Sequence, residues 1–146
     1  MNASEALVEV AASCEEAYSR IKKDVSKTVC LASRQASGLF FKTENFQKTG
    51  SFKLRGAMSK LTSLATDLPI ITASSGNHGI ACSHAARTTG HSLTVLLPEN
   101  VSKAKLKKIE SYGTTVILNP GDSGLAEQQA RQRSEQDEYV YVSPYN

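Results

Sequence analysis

The chain predicts an α/β fold built on a parallel, doubly wound sheet. Short apolar runs rich in branched residues recur at positions 69–73, 92–97, 114–118 and 139–142. Longer amphipathic segments separate them, and Gly, Pro and Ser punctuate the junctions. Strands alternating with helices of this length imply right-handed crossovers, hence parallel strands with helices packed on the sheet.

Each element follows from local pattern. Over residues 3–26, Leu7, Val10, Ala11, Cys14, Tyr18, Ile21 and Val25 recur every three or four positions, which predicts a helix. Its glutamates gather toward the start and Lys22, Lys23 and Lys27 toward the end, the sense that the helix dipole favours. Leu39-Phe40-Phe41 reads as a strand. Residues 51–65 read as a helix with Ser51 as N-cap and with Leu54, Ala57, Met58, Leu61 and Leu64 on one face. Residues 69–73 form a buried strand by brevity and branching, and residues 77–87 a helix of small residues. The strand 92–97 ends at Pro98, and the basic helix 102–112 closes at Gly113. A strand at 114–118, a polar helix from Asp122 to about Asp137 and a last strand at 139–142 complete the series.

Composition narrows the function classes. The 146 residues are enough for one domain with a real core, and 40% hydrophobic with 21% charged residues is ordinary for a globular chain. A net charge of +3 with no basic stripe interleaved by aromatics argues against nucleic acid. No apolar run reaches the length of a membrane span, and the glutamate-bearing N-terminus lacks a signal-peptide layout. Cys14, Cys30 and Cys82 are odd in number and widely spaced, which fits a reducing, cytoplasmic compartment better than a disulfide framework. With His78, His84 and His91 they make no metal-ligand pattern.

Two short segments carry the chemistry. The first is Thr49-Gly50-Ser51-Phe52-Lys53-Leu54-Arg55-Gly56-Ala57. A lysine side chain is protonated and poorly nucleophilic at neutral pH, but tethered as an imine to an aldehyde cofactor it makes an electrophilic carbon and a local base. Phe52 is placed to pack near a cofactor ring, and Gly50 and Gly56 are expected to permit close backbone approach. The same residues also read as a solvated helix-start lysine beside Arg55. The second segment, Ser74-Ser75-Gly76-Asn77-His78-Gly79, joins a strand to a helix. Free N–H groups at such a junction, with the hydroxyls of Ser74 and Ser75 and the amide of Asn77, suit a small carboxylate. A plain helix cap needs only Ser75 or Asn77 of that set, and His78 taken alone reads as a structural histidine.

In this order and spacing the two segments resemble the serine/threonine dehydratase family of fold-type II pyridoxal-phosphate enzymes, nearest its serine racemase branch. The lead-in Phe40-Phe41-Lys42-Thr43-Glu44-Asn45-Phe46-Gln47-Lys48 and the Lys107, Tyr112, Gly113 segment share the likeness. The resemblance implies a three-layer parallel sheet of the tryptophan synthase β type. Residues 1–146 would be the N-terminal portion of such an enzyme domain, comprising its small domain and part of its large one. Pyridoxal 5'-phosphate would be the cofactor, joined through Lys53, with Phe52 beside the ring and Asn77 on its phenolic oxygen. Ser74, Ser75, Gly76, Asn77 and His78 would cradle the carboxylate of a small amino acid, serine or threonine. Lys53 would move the Cα proton on one face and Ser75 on the other. Lys48, Thr49 and Tyr112 would lie near a regulatory ATP site, with Mg2+ bound by the full-length relatives.

Three departures from that pattern set further expectations. The Thr-Pro that opens the family's small strand reads Thr28-Val29, Ile80 stands where the racemase branch has a glutamine near ATP, and no Gly-Gly-Gly phosphate loop occurs. The chain is therefore expected to be a dehydratase-like or racemase-like protein, shortened and weak or inactive alone. The alternative is a non-catalytic interaction module pairing with a full-length subunit, and the partners expected are a homo-oligomer or that full-length subunit.

Overall fold

The computed structural model describes residues 2–136 and 139–145. Helix α1 (Ala3–Ile21) opens the chain, capped by a reciprocal pair in which the Asn2 side chain accepts from Glu5 N–H and the Glu5 carboxylate accepts from Asn2 N–H. Strands β1 (Cys30–Ala32) and β2 (Phe40–Lys42) pair antiparallel as a separate two-stranded sheet. The first of these follows Thr28-Val29 directly. A single 3₁₀ turn at Glu44–Phe46 leads to helix α2 (Lys53–Leu61).

The rest winds as predicted: β3 (Ile70–Ala73), α3 (Asn77–Thr89), β4 (Leu93–Pro98), α4 (Lys103–Glu110), β5 (Thr115–Asn119), α5 (Ser123–Gln136) and β6 (Val140–Tyr141). These four strands form one parallel sheet in the order β5-β4-β3-β6. The chain steps outward from β3 through β4 to β5, then returns by way of α5 to pair β6 with the far side of β3.

Period-two alternation divides the sheet between two cores. Ile70, Leu93, Val95 and Leu97 face Leu54, Met58, Leu61, Ala81, Ala85 and Ile109 from α2, α3 and α4. Ile71, Ala73 and Leu96 face Ala126 and Ala130 of α5. The sheet therefore carries helices on both faces, the three-layer arrangement expected. Full burial of Leu54, Met58 and Leu61 contributes about 1.5–3 kcal/mol each.

Several local expectations are corrected. Helix α2 starts at Lys53 with Phe52 as its cap residue, and no side chain caps it. Ser51 is not the cap: its Oγ is buried with no hydrogen-bond partner among the described residues. Within the chain Gly56 makes no close approach, because a Cβ there would meet nothing within 4 Å, and it lines an open cleft. At Gly50 the same space is open, and what requires glycine is a φ of +80°. Helix α5 runs to Gln136, and Asp137, where its end was expected, lies outside the described residues. The long stripe on α1 forms, but only its C-terminal continuation, Ile21 and Val25, is buried, while Leu7, Val10 and Tyr18 are exposed. No helix among the described residues is long and apolar enough to cross a membrane.

Candidate functional site

In an open parallel sheet, ligands sit beyond the carboxyl ends of the strands, where the winding direction reverses. Here that point lies between β3 and β6. Ser74-Ser75-Gly76 leaves β3, and Ser143-Pro144-Tyr145 follows β6. Helix α2 brings Lys53 to the same place, where its Nζ donates a 2.6 Å hydrogen bond to the Pro144 carbonyl.

The segment ending in Pro144 and Tyr145 separates two small cavities. One, of about 190 Å³, is lined by Phe52, Lys53, Gly56, His78 and Val142. The other, also about 190 Å³, is lined by Ser74, Ser75, Gly76, Ser123, Gly124 and Glu127. Both include Pro144 and Tyr145 in their walls. The Lys53 ammonium lies 5.4 Å from the centre of the exposed Phe52 ring.

The turn after β3 follows from one glycine. A Cβ at Gly79 would stand 1.9 Å from the Ser74 carbonyl oxygen, so only glycine lets the strand pass this close to the first turn of α3. Gly76 is the cap residue of α3, and among the described residues no side chain caps the helix. Instead, Gly76 N–H donates to Ser74 Oγ at 3.2 Å. The orphan N–H groups of the first turn are thus left to water or a ligand, and Asn77, the first helical residue, is exposed.

His78 behaves differently from its neighbours. Its ring is buried, with Nε2 at 3.2 Å from both Thr72 Oγ1 and the Val142 carbonyl. Burial, opposed by the Val142 hydrogen bond and aided by the Lys53 charge, holds its pKa below the ordinary histidine value. Below the ring lies Cys82, fully buried, its thiol pushed up to about 12 by desolvation. That thiol is inert rather than reactive.

Arg55, two residues after Lys53, anchors the start of α2. Its guanidinium grips the Glu44 carboxylate with bonds of 2.9 and 2.8 Å and also donates to the Ser26 carbonyl at 3.1 Å. The Thr28 hydroxyl donates to the same carboxylate. This set pulls Glu44 down to about 2, chiefly through the Arg55 hydrogen bonds. Sequence reasoning quoted both residues without pairing them. The pair bridges eleven positions across an irregular stretch, where no periodic signal exists.

Lys48, Thr49 and Tyr112 belong to a different region. The Tyr112 ring is covered by Arg87 at 4.5 Å and Lys108 at 5.4 Å, with His84 edge-on at 5.6 Å. Burial first, then the charges of Arg87, Lys48 and Lys108, lower the His84 pKa. Thr49 Oγ1 is buried without a partner among the described residues. Ile80 is partly buried against the core of α2 and α3.

Comparison with known proteins agrees with this geometry. The chain is 35% identical to serine racemase of Homo sapiens over 144 residues, covering 91% of this chain and 42% of that protein. The structure of maize serine racemase superposes with a TM-score of 0.82 at 31% identity, over 92% of this chain and 44% of that one. The structure of a threonine deaminase from T.th. gives 0.77 at 33% identity, over 89% and 43% respectively. The chain thus spans less than half the length of the relatives it matches. Its residues 21–146 match the family described as pyridoxal-phosphate dependent enzyme. By that match over most of its length, with a lysine-bearing helix start brought to the switch point of a three-layer parallel sheet, the chain belongs to the pyridoxal-phosphate dependent enzyme family.

Proposed function

We propose that this chain carries the lysine-bearing part of the active site of a pyridoxal-phosphate-dependent serine/threonine dehydratase or serine racemase. One observation carries the reading. Lys53 and the Ser74-Ser75-Gly76 turn, far apart in sequence, line adjacent cavities on either side of the same Pro144-Tyr145 wall. The donor set fits the aldehyde and ring end of the cofactor: an amine held by a neutral carbonyl rather than by a carboxylate, an exposed aromatic ring beside it, and an exposed amide at Asn77. Lys53, Phe52 and Asn77 would hold the group.

When bound, pyridoxal phosphate supplies an aldehyde to condense with amines and an electron sink for negative charge developing at a substrate Cα. The protein groups do the rest. The Lys53 amine would take and return the Cα proton from its side. The Ser75 hydroxyl, on the other cavity, would do so from the opposite side, which racemisation requires and elimination of a β-hydroxyl does not. The uncapped first turn of α3, with Ser74 and Gly76, would receive the substrate carboxylate.

The test is a visible-light titration of the chain with pyridoxal phosphate beside a Lys53→Ala control. The expected result is a saturable absorption band absent from the control and shifted by L-serine. An equal band in both proteins would sink the assignment of Lys53.

A second reading has its own support. Leu7, Val10, Leu31, Phe40, Phe41 and Phe46 are all exposed. Large apolar groups left in water in this number suit an interaction site, and in this alternative the chain would serve as a non-catalytic module pairing with a full-length subunit. Co-purification with a full-length relative as a mixed oligomer is the expected outcome. Two separate peaks on size exclusion would remove this reading.

A further inference from the structure

The contacts among Thr72, His78 and Val142 point to one arrangement of hydrogens. Thr72 Oγ1 stands 2.6 Å from the Val142 carbonyl oxygen, a contact that needs a hydrogen between the two, and the carbonyl has none to give. The single hydroxyl hydrogen of Thr72 is therefore committed there. His78 Nε2, 3.2 Å from both oxygens, then faces two acceptors, and a hydrogen on this nitrogen satisfies them where a bare nitrogen would face two oxygen lone pairs. The Cys82 sulfur lies against the ring, 3.4 Å from Nε2 and 3.9 Å from Nδ1, and in a neutral ring with Nε2–H its thiol hydrogen is a donor for the bare Nδ1. The ring thus ties together the end of β3, the first turn of α3 and the residue leaving β6.

We infer that His78 is a positioning residue for Lys53, acting through the segment from Val142 to Tyr145. The Val142 carbonyl accepts from both the Thr72 hydroxyl and His78 Nε2–H. Two residues further on, the Pro144 carbonyl holds the Lys53 amine. The rigid proline leaves little play between these two anchors. The inference rests on the reading of Lys53 as the cofactor lysine. It also reassigns His78 from the substrate cradle: its ring serves the lysine side of the wall, and only its backbone N–H remains toward the turn.

The test uses the full chain and three measurements. Long-range ¹H–¹⁵N correlation of the histidine rings is expected to show His78 as the Nε2–H tautomer, and an Nδ1–H tautomer would overturn the inference. His78→Leu removes the donor, whereas the side-chain amide of His78→Gln can replace it. In His78→Leu the amide signals of Ser143 and Tyr145 are expected to move, and half-saturation of the Lys53-specific band with pyridoxal phosphate should rise by about tenfold or more. In His78→Gln both should return toward wild type. A folded His78→Leu protein with wild-type signals and titration overturns the proposal, as does a folded His78→Gln protein that rescues neither. If His78→Leu does not fold, the ring tautomer and the His78→Gln titration decide. If the wild-type chain shows no Lys53-specific band, the cofactor reading fails. The tautomer and the Ser143 and Tyr145 signals then still decide whether His78 fixes the wall.

Discussion

At the scale of single residues, the site depends on two groups whose chemistry is set by their immediate contacts. Gly79 is one. Its missing Cβ leaves room for a backbone oxygen that cannot swing aside. Gly79→Ala should therefore displace the Ser74-Ser75-Gly76 turn and destabilise the chain by about 1–3 kcal/mol, as overpacking does. Urea unfolding checks the stability, and amide shifts across the turn check the displacement. Glu44 is the other. Its carboxyl titrates near 2 in the folded protein against an ordinary value of 4.5. A lowered pKa means stability that is complete above about 4.5 and lost as pH falls through 2. Glu44→Gln should cost about 1.5–3 kcal/mol at neutral pH, the worth of a hydrogen bond to a charged group. The gap between the two proteins should close as the solution is acidified through that window. Urea midpoints at neutral pH and near pH 2 test the sign, and a gap that widens in acid contradicts it.

At the scale of elements, α2 and α3 share the work. Helix α2 presents Lys53 because Arg55, two residues along, is clamped to Glu44 and to the Ser26 carbonyl, while Leu54, Met58 and Leu61 lock the apolar face into the core. Helix α3 is built of small residues, so it lies close against α2 and the sheet, and Gly90 at φ +81° ends it cleanly. The two helices therefore place an amine and an N-terminus with no side-chain cap among the described residues beyond the carboxyl end of β3. One expectation for α2 that failed was polar. Ser51 has the chemistry of a cap, but the chain is already turned helically at Phe52, so the hydroxyl is buried instead of bonding the helix start.

At the scale of the whole molecule, the distribution of apolar surface is the dominant fact. The four-stranded sheet is covered on both faces, whereas the β1–β2 hairpin and most of α1 have apolar groups in water. Phe40 is 62% exposed and Phe41 54%. Exposed aromatics on a short strand pair favour association. Replacing both residues by serine should leave the circular dichroism unchanged and shift sedimentation toward the monomer. A wild-type chain that is already monomeric over the whole concentration range would contradict this expectation.

Reading along the chain is enough to place the alternation of strands and helices, the apolar faces of α2 and the sheet, and the segments that bear Lys53 and the Ser-Ser-Gly-Asn-His-Gly turn. All of these are local patterns, written in side-chain periodicity or in adjacent residues. The return of β6 to the side of β3 emerges only from packing in three dimensions, because strand order depends on which face α5 crosses, and α5 is too polar to announce its face. The same return brings the Pro144 carbonyl to Lys53 and the Val142 carbonyl to His78, contacts 91 and 64 residues apart in sequence. The inward turn of His78 was legible only as the ordinary lot of a lone histidine. Its partners come from three elements, and no spacing along the chain could have named them.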